Sequence, residues 1–95
     1  IGIRIKPDSS PIAICTSSGK IGHSFSYGKA DAVTVVAKDA ALADAAATAI
    51  GNLINKKEDI QTGIKLAQKI KDIMGLLIIL NEHLAIWGQI DLVKV

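Results

Sequence analysis

One cysteine, two prolines and three aromatic residues (Phe25, Tyr27 and Trp87) are scattered through this chain of 95 residues. The solitary Cys15 excludes an internal disulfide and an all-cysteine zinc site. The longest apolar run, Met74 to Leu80, falls well short of the roughly 20 residues that a membrane-spanning helix needs. Neither sign of charge dominates: 11 basic and 9 acidic residues leave a formal charge of +2. With so few aromatics, that balance offers no electrostatic case for nucleic acid. No basic-then-apolar leader is visible, and the cytoplasm is the expected compartment.

What the chain does have is aliphatic. Residues of hydrophobic type make up 49% of it, and Ala, Ile, Val and Leu supply nearly all of them. Such side chains suit helices laid closely on a sheet. A small domain buries only about 60% of its unfolded surface, and this one is unusually apolar and opens on Ile1, not Met. Residues 1–95 are therefore expected to form the C-terminal part of a single domain. Its upstream half, the missing N-terminal segment, would cover some of the apolar surface.

Periodicity divides the chain. Ile1 to Lys6 alternates apolar and polar residues, as a half-buried strand does. Pro7 to Pro11 reads as a turn, and Ile12 to Thr16 as a short strand that runs into the small residues Ser17-Ser18-Gly19. Ile21 to Lys29 is rich in Gly and Ser and reads as a loop. Val33-Thr34-Val35-Val36 is a β-branched run of the kind buried on both faces. Asp39 is placed to cap a helix running from Ala40 to about Lys56, with Leu42, Ala46, Ala49, Ile50 and Leu53 on its apolar stripe. Gly51 inside that helix implies a close approach or a bend. A second helix is expected from Glu58 to about Ile73, ended by Gly75, with Ile60, Ile64, Ala67 and Ile70 on its face. Leu76–Leu80, the Asn81-Glu82 turn and Leu84–Trp87 read as a hairpin, with Trp87 as its anchor, and Ile90–Val95 as a last strand. The expected fold is α+β, in the order β-β-β-α-α-β-β-β, with two Ala/Ile-rich helices on one mainly antiparallel sheet.

Few groups could carry chemistry. Asp44 and Thr48 lie four apart on one helix face, with Asn55 further along the same side. A carboxylate and a hydroxyl so spaced can give two oxygen ligands to a hard cation such as Mg²⁺; the alternative is the plain solvent side of an amphipathic helix. The turn Thr16-Ser17-Ser18-Gly19 follows a strand and can offer backbone N–H groups to a phosphate. Lys20 is followed by Ile21, and the leading glycine is absent, so this is no P-loop. His23, among polar neighbours, can carry a proton or bind phosphate. His83 reads as a turn residue and Cys15 as an inert packing group.

Taken in order, Cys15-Thr16-Ser17-Ser18-Gly19, then His23, then Ala32-Val33-Thr34-Val35-Val36-Ala37 leading into Leu42-Ala43-Asp44-Ala45-Ala46-Ala47-Thr48 resemble a known family. They are similar to the C-terminal half of the ApbE superfamily of Mg²⁺-dependent FAD:protein FMN transferases. Gly22-His23-Ser24-Phe25-Ser26 and Gly28-Lys29-Ala30-Asp31-Ala32-Val33 look most like a short, uncharacterised ApbE-like subgroup of archaea and bacteria. The resemblance implies Mg²⁺ held by Asp44 and Thr48, and FAD held by Thr16, Ser17, Ser18 and Gly19. It also implies that His23 is catalytic, beside the diphosphate, in passing FMN to a protein hydroxyl. Ser24-Phe25-Ser26-Tyr27-Gly28 replaces the Asp-Pro-x-Thr-Gly segment that transferases carry after the histidine. A second expectation is therefore a non-catalytic scaffold or accessory protein, which the subgroup resemblance links to sulfur assimilation through homocysteine formation. A third is a helix-on-sheet module that pairs with a second copy as a homo-oligomer.

Overall fold

The computed structural model describes residues 2–5, 12–17, 30–88 and 90–93. Among these, the chain runs β1 (Gly2–Ile5), β2 (Ala13–Ser17), β3 (Ala32–Ala37), α1 (Ala40–Leu53), α2 (Glu58–Lys69), β4 (Ile73–Leu80), β5 (His83–Gly88) and β6 (Ile90–Val93). The class is α+β, in the expected element order. The strands do not form one sheet, however. β2-β3-β4-β5 make a four-stranded sheet, while β1 and β6 pair apart from it in a two-stranded ladder. Both are antiparallel throughout. Alternation along β1 and β6 marks each as a strand but carries no information on which strand it pairs with.

β3 sits inside the sheet, and every residue from Val33 to Ala37 is buried, as its β-branched run predicts. Its two faces meet different layers. Val33, Val35 and Ala37 join Leu76, Ile78 and Leu80 under the helices, in a core completed by Ala43, Ala46, Ala47, Ile50, Ile54 and Ala67. Val36 turns the other way, to Leu77 and to Ile90 of β6. Trp87 is half-buried against the helix-side core.

Asp39 caps α1 as expected: its backbone is extended and its Oδ1 accepts the Leu42 N–H at 2.7 Å. The buried stripe of α1 is Ala43, Ala46, Ala47, Ile50 and Gly51, so the expected one was rotated. Ala49 and Leu53 are exposed and Leu42 is half-buried. The reason is size. The smallest side chains turn toward the sheet and let the helix sit close, and the leucines flank that contact. α1 also stops at Leu53, short of Lys56. Asp59 Oδ2 there accepts the Asn55 and Lys56 N–H groups, at 3.0 and 3.1 Å, turning the chain into α2.

α2 buries Gly63 and Ala67, flanked by half-buried Ile60, Ile64 and Ile70. It does not reach Ile73, and Gly75 is not its terminator. The chain reverses at Asp72, whose φ of 73° lies in the left-handed region, and Gly75 falls inside β4. There it pairs with Gly88 of β5, where a Cβ on Gly88 would run into the Met74–Gly75 backbone. No helix among the described residues is long and apolar enough to cross a membrane.

Two closely packed glycines should respond differently to alanine. A Cβ on Gly88 would meet the Met74 carbonyl oxygen and lie 2.8 Å from the Gly75 Cα, on a residue with φ of +84°. Backbone cannot yield as a side chain can, so Gly88→Ala should cost about 2–4 kcal/mol. The atoms nearest a Cβ on Gly63 are side-chain methyls of Ile54, Ile50 and Ile78, at 3.1–3.3 Å. Better helix propensity offsets that crowding, so Gly63→Ala should stay within about 1 kcal/mol of wild type. Urea denaturation of the full-length protein reads both values, and equal costs would contradict this packing.

Candidate functional site

α1 crosses the sheet above β2 and β3, and the inward residues of β2 mark its course. Near the start of the helix, the Cys15 thiol faces the Ala40 carbonyl with the sulfur 3.8 Å away. Toward its other end, Gly51 rests on Ser17: a Cβ there would stand 3.3 Å from the Ser17 Oγ and 3.9 Å from the Val33 Cγ2. Gly51 is thus a close approach, one of the two roles its place in the sequence implies, and not a bend.

Successive side chains of a strand point to opposite faces, and this separates two residues grouped by the sequence. Ser17 faces α1. Thr16 faces away, where its Oγ1 lies 2.9 Å from the Oγ1 of its cross-strand partner Thr34. Thr34 is the buried polar residue among those described, and this bond satisfies it. Both Thr16 and Ser17 belong to the strand, because the ladder with β3 continues to the Ser17–Val33 pair. Neither residue belongs to the turn expected here. Ser18, Gly19 and His23 lie outside the described residues.

Asp44 and Thr48 are both exposed, on the outward side of α1 with Ala41, Ala45 and Asn52. Being four apart, they share one face at adjacent turns, and Thr48 stands one turn before Gly51. Gly51 itself belongs to the buried side of α1, at the point where Ser17 docks. Asn55 continues the Asp44–Thr48 row in sequence only, because the helix has ended by then.

The chemistry open to this row is that of accessible oxygen. Mg²⁺ commonly keeps several waters and takes one or two carboxylates plus substrate phosphate oxygens, so an exposed carboxylate and hydroxyl fit it as a donor set. Among the described residues, no group of three or more His, Cys, Asp or Glu side chains could hold a metal ion without such help. Sequence reasoning missed Thr34 as a support of this region and left the partner of Gly51 open. The β-branched run hid Thr34, whose hydroxyl has a partner only once β2 and β3 are in register.

A helix pair on one face of an antiparallel sheet, with small residues at the contact, defines the class of fold. The family follows from comparison. The family model described as "AbpE bacteria" matches residues 1–80, and the chain belongs to that ApbE-related family. A UPF0280 protein of Archaeoglobus fulgidus is 54% identical over 83 residues, covering 83% of this chain and 36% of the relative. A UPF0280 protein of Methanosarcina barkeri is 43% identical over 91 residues, covering 95% of this chain and 36% of the relative. One from Methanocaldococcus jannaschii is 43% identical over 100 residues, covering 99% of this chain and 41% of the relative. The chain thus spans about 36–41% of the length of these curated relatives.

The Ser17–Gly51 contact is open to a direct test. Gly51→Leu would force a branched side chain into the gap between α1 and the end of β2, at a cost of about 1–3 kcal/mol. In the ¹⁵N-resolved spectrum of the full-length protein, the amide shifts of Ser17 and Val33 should move with it. A Gly51→Leu variant of wild-type stability with those shifts in place would show that the helix does not rest there.

Proposed function

We propose that the full-length protein binds a flavin nucleotide, FAD or FMN, together with Mg²⁺. In this reading Asp44 and Thr48 hold the metal, and Ser17, Ser18 and Gly19 hold the nucleotide phosphates; the Thr16 side chain, expected among them, is turned to the other face and paired with Thr34. The observation that carries it is the row on α1. It presents a carboxylate and a hydroxyl outward, one turn short of the residue on which the end of β2 is seated. Membership of an ApbE-related family adds support, as does the donor chemistry.

If the family's chemistry is retained, the protein transfers FMN from FAD to a protein hydroxyl. The acceptor oxygen bonds to the FMN phosphorus, the diphosphate bond breaks, and AMP leaves. His23 takes the proton of the acceptor hydroxyl. Mg²⁺ held by Asp44 and Thr48 would supply charge stabilisation to the phosphate being transferred. The chain's own part is to carry the two donors on a helix whose inner face is buried against the sheet.

The second reading, a non-catalytic scaffold or accessory protein, is favoured by the solvent-open placement of Asp44 and Thr48 among alanines. Titrating FAD into the full-length protein with and without Mg²⁺ separates the two. In the flavin reading, Asp44→Ala lowers the Mg²⁺-dependent affinity by about tenfold or more, since a direct metal ligand is removed, and Thr48→Val lowers it less. Unchanged Mg²⁺-dependent affinity in Asp44→Ala would leave the scaffold reading in its place. His23→Ala should keep Mg²⁺-dependent FAD binding but abolish transfer of the flavin to protein, read by in-gel fluorescence. Retention of transfer would remove His23 from the chemistry.

A further inference from the structure

The sheet has two faces, and they are finished differently. Helices cover one. On the other, cross-strand pairing lines up Ile14 with Val36, Thr16 with Thr34, Leu77 and Ile86, and Ile79 with Leu84. The middle of this face is closed: Val36 and Leu77 are buried with Ile90, and Met74 and Ile79 pack against them. Its two borders are open. Ile14 is 50% exposed and Ile12 40%, along β2, and Leu84 is 43% and Ile86 37% exposed, along β5. Of the large hydrophobic residues exposed among those described, only Leu53 on α1 lies elsewhere.

The border strands depart from the pattern of a solvent-facing edge. An antiparallel strand with one wet face puts its large apolar residues inward and its polar ones outward. β2 turns Ala13, Cys15 and Ser17 to the helices and Ile14 away from them with Thr16, and exposed Ile12 stands just before the strand. β5 keeps Trp87 and Ala85 inward but also turns the large apolar residues Leu84 and Ile86 outward. Among the described residues, neither border carries the outward lysine or proline that protects a free edge. Exposed apolar residues on both borders of a face whose middle is already closed mark a contact.

We infer that this face, from Ile12 and Ile14 across to Leu84 and Ile86, is the docking surface for the remainder of the full-length protein. That remainder lays an apolar layer of its own over the sheet, so that the sheet is covered on both sides. The occupant follows from length. The chain spans only 36% of two of its relatives and 41% of a third, so more than half of such a protein must be accommodated. The helix side is already occupied, and the other face is the one whose core is begun, around Val36, Leu77 and Ile90, and left unfinished at its rims. Docking here is independent of flavin binding.

The test uses the full-length protein with the photo-crosslinking residue p-benzoylphenylalanine in place of Ile14 or, separately, Ile86. Peptides joined on irradiation are identified by mass spectrometry. Links from both positions to peptides of the same molecule outside residues 1–95 are expected, in a yield independent of protein concentration. Links to a second copy, vanishing on dilution, would make the face an oligomer interface and overturn the inference, as would links confined to residues 1–95 or none. The unsubstituted protein gives an independent reading if the bulky residue disturbs folding. Under hydroxyl-radical footprinting, Ile12, Ile14, Leu84 and Ile86 should oxidise several-fold more slowly than the same residues in short peptides. Peptide-like rates at these four positions would equally overturn it.

Discussion

The structure depends on how closely α1 can approach the sheet. Its inner face is built of Ala43, Ala46, Ala47 and Gly51, with Ile50 as the large side chain fully buried among them. Small residues bring the helix backbone against the strands. Main chain and short side chains then supply the dispersion attraction that longer side chains would give at a wider spacing. Gly51 on Ser17 is one close point of that approach. It ties the end of β2 to the helix that carries Asp44 and Thr48, so the geometry of the candidate site is set by packing beneath it.

From that contact the rest of the architecture follows. A helix seated on β2 and β3 leaves room beside it for α2, whose Gly63 lies against Ile50, Ile54 and Ile78. The two helices form one layer, and the Asp59 carboxylate holds the link between them. β3 and β4 carry apolar residues on both faces, which makes sense only in a sheet that is covered on both sides. The helix layer accounts for one covering. The other is begun by Ile90 and continues, in our reading, in the part of the protein beyond this chain.

Much of this was legible in the residues, because it rests on local chemistry. Asp39 before an alanine run announces a cap, Val33 to Val36 a buried strand, and Asn81-Glu82 a tight reversal, where Asn81 takes a φ of 54°. Three features were not legible, and each depends on tertiary structure. The alanines of α1 are nearly uniform, so periodicity could not decide which of them face the sheet, and the leucines misled. Gly75 looks like a helix terminator in sequence, but its role is to pair with Gly88 across two strands. Strand alternation gave β1 and β6 no partner, and their separate ladder had to be seen. At the candidate site the Asp44–Thr48 spacing carried over intact, whereas Thr16 and Ser17 proved to face opposite sides. That division turns on a single residue of strand length, finer than composition resolves.

Whether the outward row of α1 is a metal-nucleotide site, held in place by the packing beneath it, is tested most directly by paramagnetic relaxation. Mn²⁺ would replace Mg²⁺ in the ¹⁵N-labelled full-length protein saturated with FAD. Amide signals should then broaden most at Asp44 to Thr48, next around Ser17 and Gly51, and least toward β5. Broadening centred on any other part of the protein, or none that depends on FAD, would contradict that assignment.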